Sequence, residues 1–331
     1  MKIILLNNRP QGKPTVSDFK FVTEDKQLSI DDGEILLEAA YVSVDPYLRG
    51  RMSDAKSYVP SFELNKPIQS GVVAKVIASK NDKFSVGETV SGMLNWQTQQ
   101  VSTGQGVLKV DGSKAPLSTY LGVLGMTGLT AYLGLTQIGK PVAGETIVIS
   151  GAAGAVGSVV GQIAKILGLH VIGIAGTDEK VTMLKDKFGF DAGINYNTSK
   201  DINADIKKLA PNGVDIYFDN VGGPISDAVL FNINRFARII ICGAISVYNE
   251  TEIPTSLSVQ PFLVKNSALM QGFIVSNYAD KFPEAMQHLS GWLSEGKLTY
   301  SETIVNGFEN IPNAFIDLFE GKNKGKMIVK I

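Results

Sequence analysis

The stretch TIVISGAAGAVGSVVGQIAKILG (146–168) decides how this chain folds. TIVIS (146–150) is an apolar, β-branched run that breaks at once into Gly151-Ala-Ala-Gly154-Ala-Val-Gly157. Beyond the glycines, Val156, Val159, Val160, Ile163 and Leu167 recur at the spacing of one helix face. Small residues from 151 to 155 let the backbone approach a pyrophosphate closely. The helix start adds N–H groups and the positive end of its dipole. The spacing departs from the common fingerprint: Ala152 stands where the first glycine is expected, with Gly154 and Gly157 as second and third. Taken alone, the turn also fits a tight βα corner that binds nothing. The segments that follow it favour a dinucleotide.

From about 145 to 275, β-branched runs alternate with helical patterns. The runs are VIGIAG (171–176), AGINY (192–196), VDIYFDN (214–220), ARIIICGAIS (237–246) and ALMQGFIV (268–275). Unbroken apolar strands separated by helices predict a parallel sheet covered on both faces, in the doubly wound α/β class. The first 120 residues have another texture. Short runs such as EILLEAAYVSV (34–44), GVVAKVIAS (71–79) and ETVSGM (88–93) are bounded by Gly, Pro, Asp and Asn, as in a small β-barrel. After an amphipathic stretch, 281–298, the chain ends in KMIVKI, a strand with no obvious partner nearby. The expected organisation is a barrel domain over 1–120, a Rossmann domain over 121–298 and a return to the first domain over 299–331. The substrate cleft is then expected between the two.

Composition narrows the function. Among 331 residues, 31 basic and 32 acidic side chains give a net charge of −1, without a basic stripe to track phosphates. No apolar run approaches the roughly 20 residues that span a bilayer. The start, MKIILLNNRP, turns polar too early for a signal peptide. Cys242 is the only cysteine, which excludes an internal disulfide and fits a cytoplasmic protein. With His170 and His288 as the two histidines, a Cys/His zinc site lacks ligands, so no metal is expected. Cys242 reads as a small core residue inside an apolar strand. No G-x-S-x-G elbow occurs, which excludes an α/β-hydrolase triad.

The second strand of the alternating region ends in Gly176, where NAD enzymes tend to place an acid for the ribose hydroxyls. Gly176 and Thr177 leave room for a 2′-phosphate, and Lys180 can reach one as a charged donor, which points to NADPH. The plainer reading of Lys180 is a solvated surface lysine. Asp178 and Glu179 read as first-turn acids of a helix over 178–188.

Several runs together carry a family likeness: VSVDPYLRGRM (42–52), GMTGLTAYLGL (125–135), SGAAGAVGSVVGQIAK (150–165), AGTDEKV (175–181), FDNVGG (218–223), ICGAIS (241–246) with Tyr248, and GFENIPNAF (307–315). They span nearly the whole chain in order. On them the chain resembles the zinc-independent medium-chain dehydrogenase/reductases, in the group of leukotriene B4 12-hydroxydehydrogenase/prostaglandin reductase and alkenal double-bond reductases. The resemblance implies a GroES-like barrel plus a Rossmann domain, a homodimer and NADPH as cofactor. It implies that Ala152, Ala153, Gly154, Ala155, Val156 and Gly157 lie along the pyrophosphate, with Lys180 and Tyr196 towards the 2′-phosphate. Asn220 would meet the cofactor at the sheet edge. Cys242, Gly243, Ala244, Ile245, Ser246 and Tyr248, with Phe273, Ile274 and Val275, would flank the nicotinamide, and Asn323 would add a further contact.

The implied reaction reduces the carbon–carbon double bond of an α,β-unsaturated ketone or aldehyde. Charge then builds on the carbonyl oxygen and needs a placed donor. Tyr248 is the first candidate, directly or through the nicotinamide ribose hydroxyl, and Tyr47 the second. Tyr47 also reads as a packed turn aromatic, and Arg49 and Arg51 read as fold-supporting ion pairs rather than substrate anchors. Two other functions fit the same residues: a quinone reductase, and an NADPH-binding sensor without turnover. Pocket walls are expected from loops such as 249–265.

Overall fold

The β-branched runs of the middle of the chain pair side by side in a six-stranded parallel sheet. Its strands are β1 (Thr146–Ile149), β2 (His170–Ala175), β3 (Ala192–Asn195), β4 (Val214–Asp219), β5 (Ile233–Ile241) and β6 (Leu269–Gly272). Helices α1 (Gly157–Ile166), α2 (Asp178–Asp186), α3 (Ile202–Leu209), α4 (Gly223–Leu230) and α5 (Gln260–Asn266) alternate with them. The order β3-β2-β1-β4-β5-β6 is that of a dinucleotide-binding doubly wound sheet. The strand order reverses between β1 and β4, which opens a crevice at their carboxyl ends. All of β1 is buried, and Val148, Ile172, Ile174, Tyr217 and Ile239 share one core on this sheet. Side-chain caps fix two helix starts: Thr177 accepts from Lys180 N and Asp201 from Ala204 N.

This computed structural model describes residues 1–331 apart from Lys26 and Ile253. The chain divides into two units, one of residues 1–122, 302–323 and 327–331, the other of 123–301 and 324–326. The excursion of 324–326 into the second unit departs from a single return over 299–331. Ile253, within the expected 249–265 pocket wall, lies outside the described residues. No described helix is long and apolar enough to cross a membrane.

In the first unit, strands 35–43, 69–79, 89–95 and 107–110 run antiparallel in that order. The terminal strand pairs on the other side, Ile328 opposite Ser43 and Val329 opposite Val42, with 302–306 beyond it. Register shifts after Leu36 and Ala39 bend the long strand, as bulges do. Trp96, fully buried, donates to Ser70 Oγ at 2.8 Å and stacks on Phe19. The arginines after Tyr47 support the fold, though not through ion pairs. Arg49 donates to the carbonyls of Pro10 and Gly12; Arg51 donates to Pro60 O and lies 4.0 Å over the Phe62 ring. In the second unit His288 stacks on Tyr132 and lies tilted against Trp292, which also touches Tyr132.

Candidate active site

The turn after β1 explains the displaced fingerprint. Gly151 carries the left-handed conformation, φ +58°, one residue before Ala152. Ala152 N then donates to Ile174 O at 3.0 Å, tying the turn to β2, and Gly154 N closes on Gly151 O. A Cβ on Gly157 would lie 2.5 Å from Gly151 O and 2.8 Å from Ala152 Cα, so α1 reaches this position only with glycine there. Ser158 N bonds Gly154 O, which leaves the amides of 155–157 at the positive end of the helix.

One carboxylate organises the crevice between β1 and β4. Asp219, 2% exposed, accepts from Ser150 Oγ, Val221 N and Gly222 N, each at 2.9 Å. Ser150 in turn accepts from Asn220 N and, through its carbonyl, from Asn220 Nδ2. The Asp219 carbonyl accepts from Cys242 N and Gly243 N at the end of β5. Three strand ends are thus locked together around the Asn220 side chain. Sequence reasoning passed over Ser150 and Asp219, although an acid closing an apolar strand at a carboxyl edge was a legible signal.

At the end of β2, Gly176 faces Tyr196. A Cβ there would meet the Tyr196 hydroxyl at 2.7 Å, so no side chain fits without moving the ring. Tyr196 N bonds Ala175 O, and Asn197 Nδ2 bonds Gly176 O, fixing this corner. Lys180 is half-buried on the first turn of α2, and its pKa is lowered, by burial first and by the charge of Lys324 second. Asp178 and Glu179 occupy the same turn; Asp178 accepts from Asn195 Nδ2 and Glu179 pairs with Lys324.

Beyond β5 and β6 lies a mainly apolar pocket of about 430 Å³. Cys242, Gly243, Ala244, Tyr248, Phe273, Ile274 and Asn277 line it. Cys242 does not sit inside the strand; β5 ends at Ile241 and Cys242 forms pocket wall, its thiol pushed up to about 12 by burial. The reading as a strand-core residue is therefore corrected. The turn Ile245–Val247 is held by Ser246, whose amide and hydroxyl both bond Val221 O. Val275 opens the next turn and is not among the lining residues, whereas Asn277, unremarked in the sequence, is.

Tyr248 brings a phenol to the wall of this pocket. Its phenol oxygen accepts from Ala244 N at 3.2 Å, which leaves the O–H proton to point elsewhere. Burial raises its pKa, with the Ala244 amide acting against the rise, so the phenol remains a donor at neutral pH. Tyr47 and Asn323 belong to the first unit. Tyr47 packs on that unit's core, its pKa raised by burial and then by Asp45, so its packed-aromatic reading has direct support.

The residues fit a dinucleotide phosphate: a turn closed by Gly151 and Gly157 at a helix start, and a side-chain-free Gly176 followed by Lys180 on the first turn of α2. Residues 2–110 match the family described as the N-terminal domain of oxidoreductase, and 155–291 the family described as zinc-binding dehydrogenase. A Bacillus subtilis protein named as an NADP-dependent oxidoreductase is 54% identical over 99% of this chain and 97% of its own. The NADP(+)-dependent 2-alkenal reductase of Nicotiana tabacum is 40% identical over 100% of this chain and 97% of its own. The crystal structure of CurA from Vibrio vulnificus in complex with NADPH is 44% identical with a TM-score of 0.94, covering 100% of this chain and 99% of that one. Fold and site define a dinucleotide-dependent oxidoreductase built from two units. Within that class the chain belongs to the zinc-independent medium-chain dehydrogenase/reductases, in the group of alkenal and prostaglandin reductases. The zinc in one family description finds no Cys/His ligand set in a sequence with one cysteine and two histidines.

Proposed function

We propose that this protein is an NADPH-dependent reductase of the carbon–carbon double bond of α,β-unsaturated ketones and aldehydes. The observation that carries it is the Tyr248 phenol, held protonated in an apolar pocket beside the strand ends that frame the phosphate turn. The names of a 40%-identical 2-alkenal reductase and of the NADPH-bound CurA support the same class. Residues 152–157 would hold the pyrophosphate, Lys180 and Tyr196 the 2′-phosphate, Thr177 the space beside it, and Asn220 the inner end of the cofactor. Residues 242–246 and 273–275 would flank its ring, with Asn323 as a further contact. When bound, the cofactor supplies a hydride for the β-carbon. Tyr248 donates a hydrogen bond to the carbonyl oxygen where charge gathers, and the α-carbon then takes its proton from the tyrosine or from water, which completes the reduction. Tyr47 is the second donor candidate.

The test is NADPH oxidation with an enone, an enal and a quinone side by side. Turnover of the enone and enal with Tyr248→Phe lowering kcat by about tenfold or more is the expected result. Turnover of quinone alone favours the quinone-reductase reading, and NADPH binding with no turnover favours the sensor. An unchanged kcat removes Tyr248 from the chemistry. Lys180→Ala is expected to weaken NADPH about tenfold while barely changing NADH, since a charged hydrogen bond contributes about 1.5–3 kcal/mol. Equal losses for the two nucleotides sink the 2′-phosphate assignment.

The protein acts as a homodimer joined at the free edge of β6, where Leu269 is 47% exposed and the parallel sheet ends. Sedimentation at twice the 35.5 kDa chain mass is expected, and a single-chain species overturns it. It works in the cytoplasm, where its lone thiol stays reduced; recovery in the membrane or secreted fraction of its host counts against that.

A further inference from the structure

The 2′-phosphate side of the crevice has a second cation that the sequence does not announce. Residues 324–326 lie along the phosphate turn: Gly325 N donates to Ala153 O at 2.8 Å, Gly154 and Gly325 form a parallel bridge, and Lys326 N donates to Ser301 O at 2.9 Å. Gly325 has φ +72°, and a Cβ on it would fall 1.9 Å from Ser301 O, so the strap has one backbone path. That path sets Lys324 over the first turn of α2, where its Nζ pairs with Glu179 Oε1. Lys180 on the same turn already feels the charge of Lys324. Lys324 therefore pairs with a carboxylate on the turn that carries Lys180, and that carboxylate is 70% exposed, a weak partner.

We propose that Lys324 is a specificity-determining cation for the cofactor 2′-phosphate, delivered by the 324–326 strap, and that Glu179 competes with the phosphate for it. The inference rests on the cofactor reading above. A phosphate monoester carries nearly two charges and three acceptor oxygens, so it outcompetes a solvated carboxylate for both lysines. Glu179 then opposes NADPH by holding Lys324 and by its own like charge. The strap explains why a residue so distant in sequence can act with Lys180.

The test uses the whole protein and calorimetric binding of 2′,5′-ADP and 5′-AMP, which differ only in the phosphate at issue. Lys324→Gln is expected to weaken 2′,5′-ADP about tenfold and leave 5′-AMP within about twofold. Glu179→Gln is expected to tighten 2′,5′-ADP by about two- to fivefold. An equal loss for both ligands in Lys324→Gln, or no loss, overturns the proposal. Lys180→Gln separates the layers. A selective loss there with none in Lys324→Gln defeats this inference alone. An unselective Lys180→Gln, or a wild type that binds 2′,5′-ADP no better than 5′-AMP, defeats the cofactor reading beneath it.

Discussion

Gly176→Asp will bind NADPH about a hundredfold more weakly than the wild type, with a much smaller loss for NADH. Two physical effects add. The new Cβ would stand 2.7 Å from the Tyr196 hydroxyl and 3.0 Å from its ring carbon, so the ring must swing away from the strand end. The carboxylate then faces the proposed 2′-phosphate position. Two unit charges about 5 Å apart at an effective dielectric near 20 repel by about 3 kcal/mol, roughly a factor of a hundred. Gly176→Ala separates the terms, because it keeps the clash and omits the charge; it should weaken both nucleotides to a similar, smaller extent. Dissociation constants from nucleotide fluorescence read this directly. If the Ala and Asp variants discriminate equally between NADPH and NADH, no phosphate lies at the end of β2.

Asp219→Ala is expected to destabilise the protein by about 3 kcal/mol or more. The carboxylate is 2% exposed and serves three donors, Ser150 Oγ, Val221 N and Gly222 N. Each buried donor left without an acceptor costs about 1–3 kcal/mol, and water reaching the cavity relieves part of that. At about 2–4 °C per kcal/mol for a domain of this size, the melting temperature falls by roughly 6–12 °C. The loss should extend to nucleotide affinity, because Ser150 positions Asn220 by two hydrogen bonds. Asp219→Asn keeps one acceptor oxygen and should fall in between. An unchanged melting temperature for the alanine variant would mean that the crevice does not depend on this residue.

How far the sequence could be read follows from where the information lies along the chain. The strand–turn–helix at 146–168 is local, and the apolar runs alternating with helical patterns after it point to a doubly wound sheet, as the order β3-β2-β1-β4-β5-β6 bears out. Ala152 looked like a defect in the fingerprint because backbone angles are not written in residue names; the left-handed turn had moved to Gly151. Apolar character in the sequence continues past β5 through Cys242. The backbone instead leaves the sheet at Ile241, where the Asp219 carbonyl takes the amides of Cys242 and Gly243. Asp219 is legible as an acid closing an apolar strand, but its role as a hub is not written in any one segment, because its partners come from the ends of β1, β4 and β5. Lys324 comes near α2 through the bridge at Gly325, a contact with no periodicity to betray it. Asn277 lines the pocket from a turn of irregular geometry, where sequence patterns are weakest.

The two tryptophans of this chain fall one to a unit: Trp96 in the core of the first, Trp292 against His288 in the second. Each unit thereby carries its own optical label. Emission from a Trp96→Phe variant follows the nucleotide-binding half alone, and emission from Trp292→Phe follows the other. Superimposed denaturation curves would make the chain a single cooperative system, whereas displaced ones would resolve a half-folded state and name its surviving half.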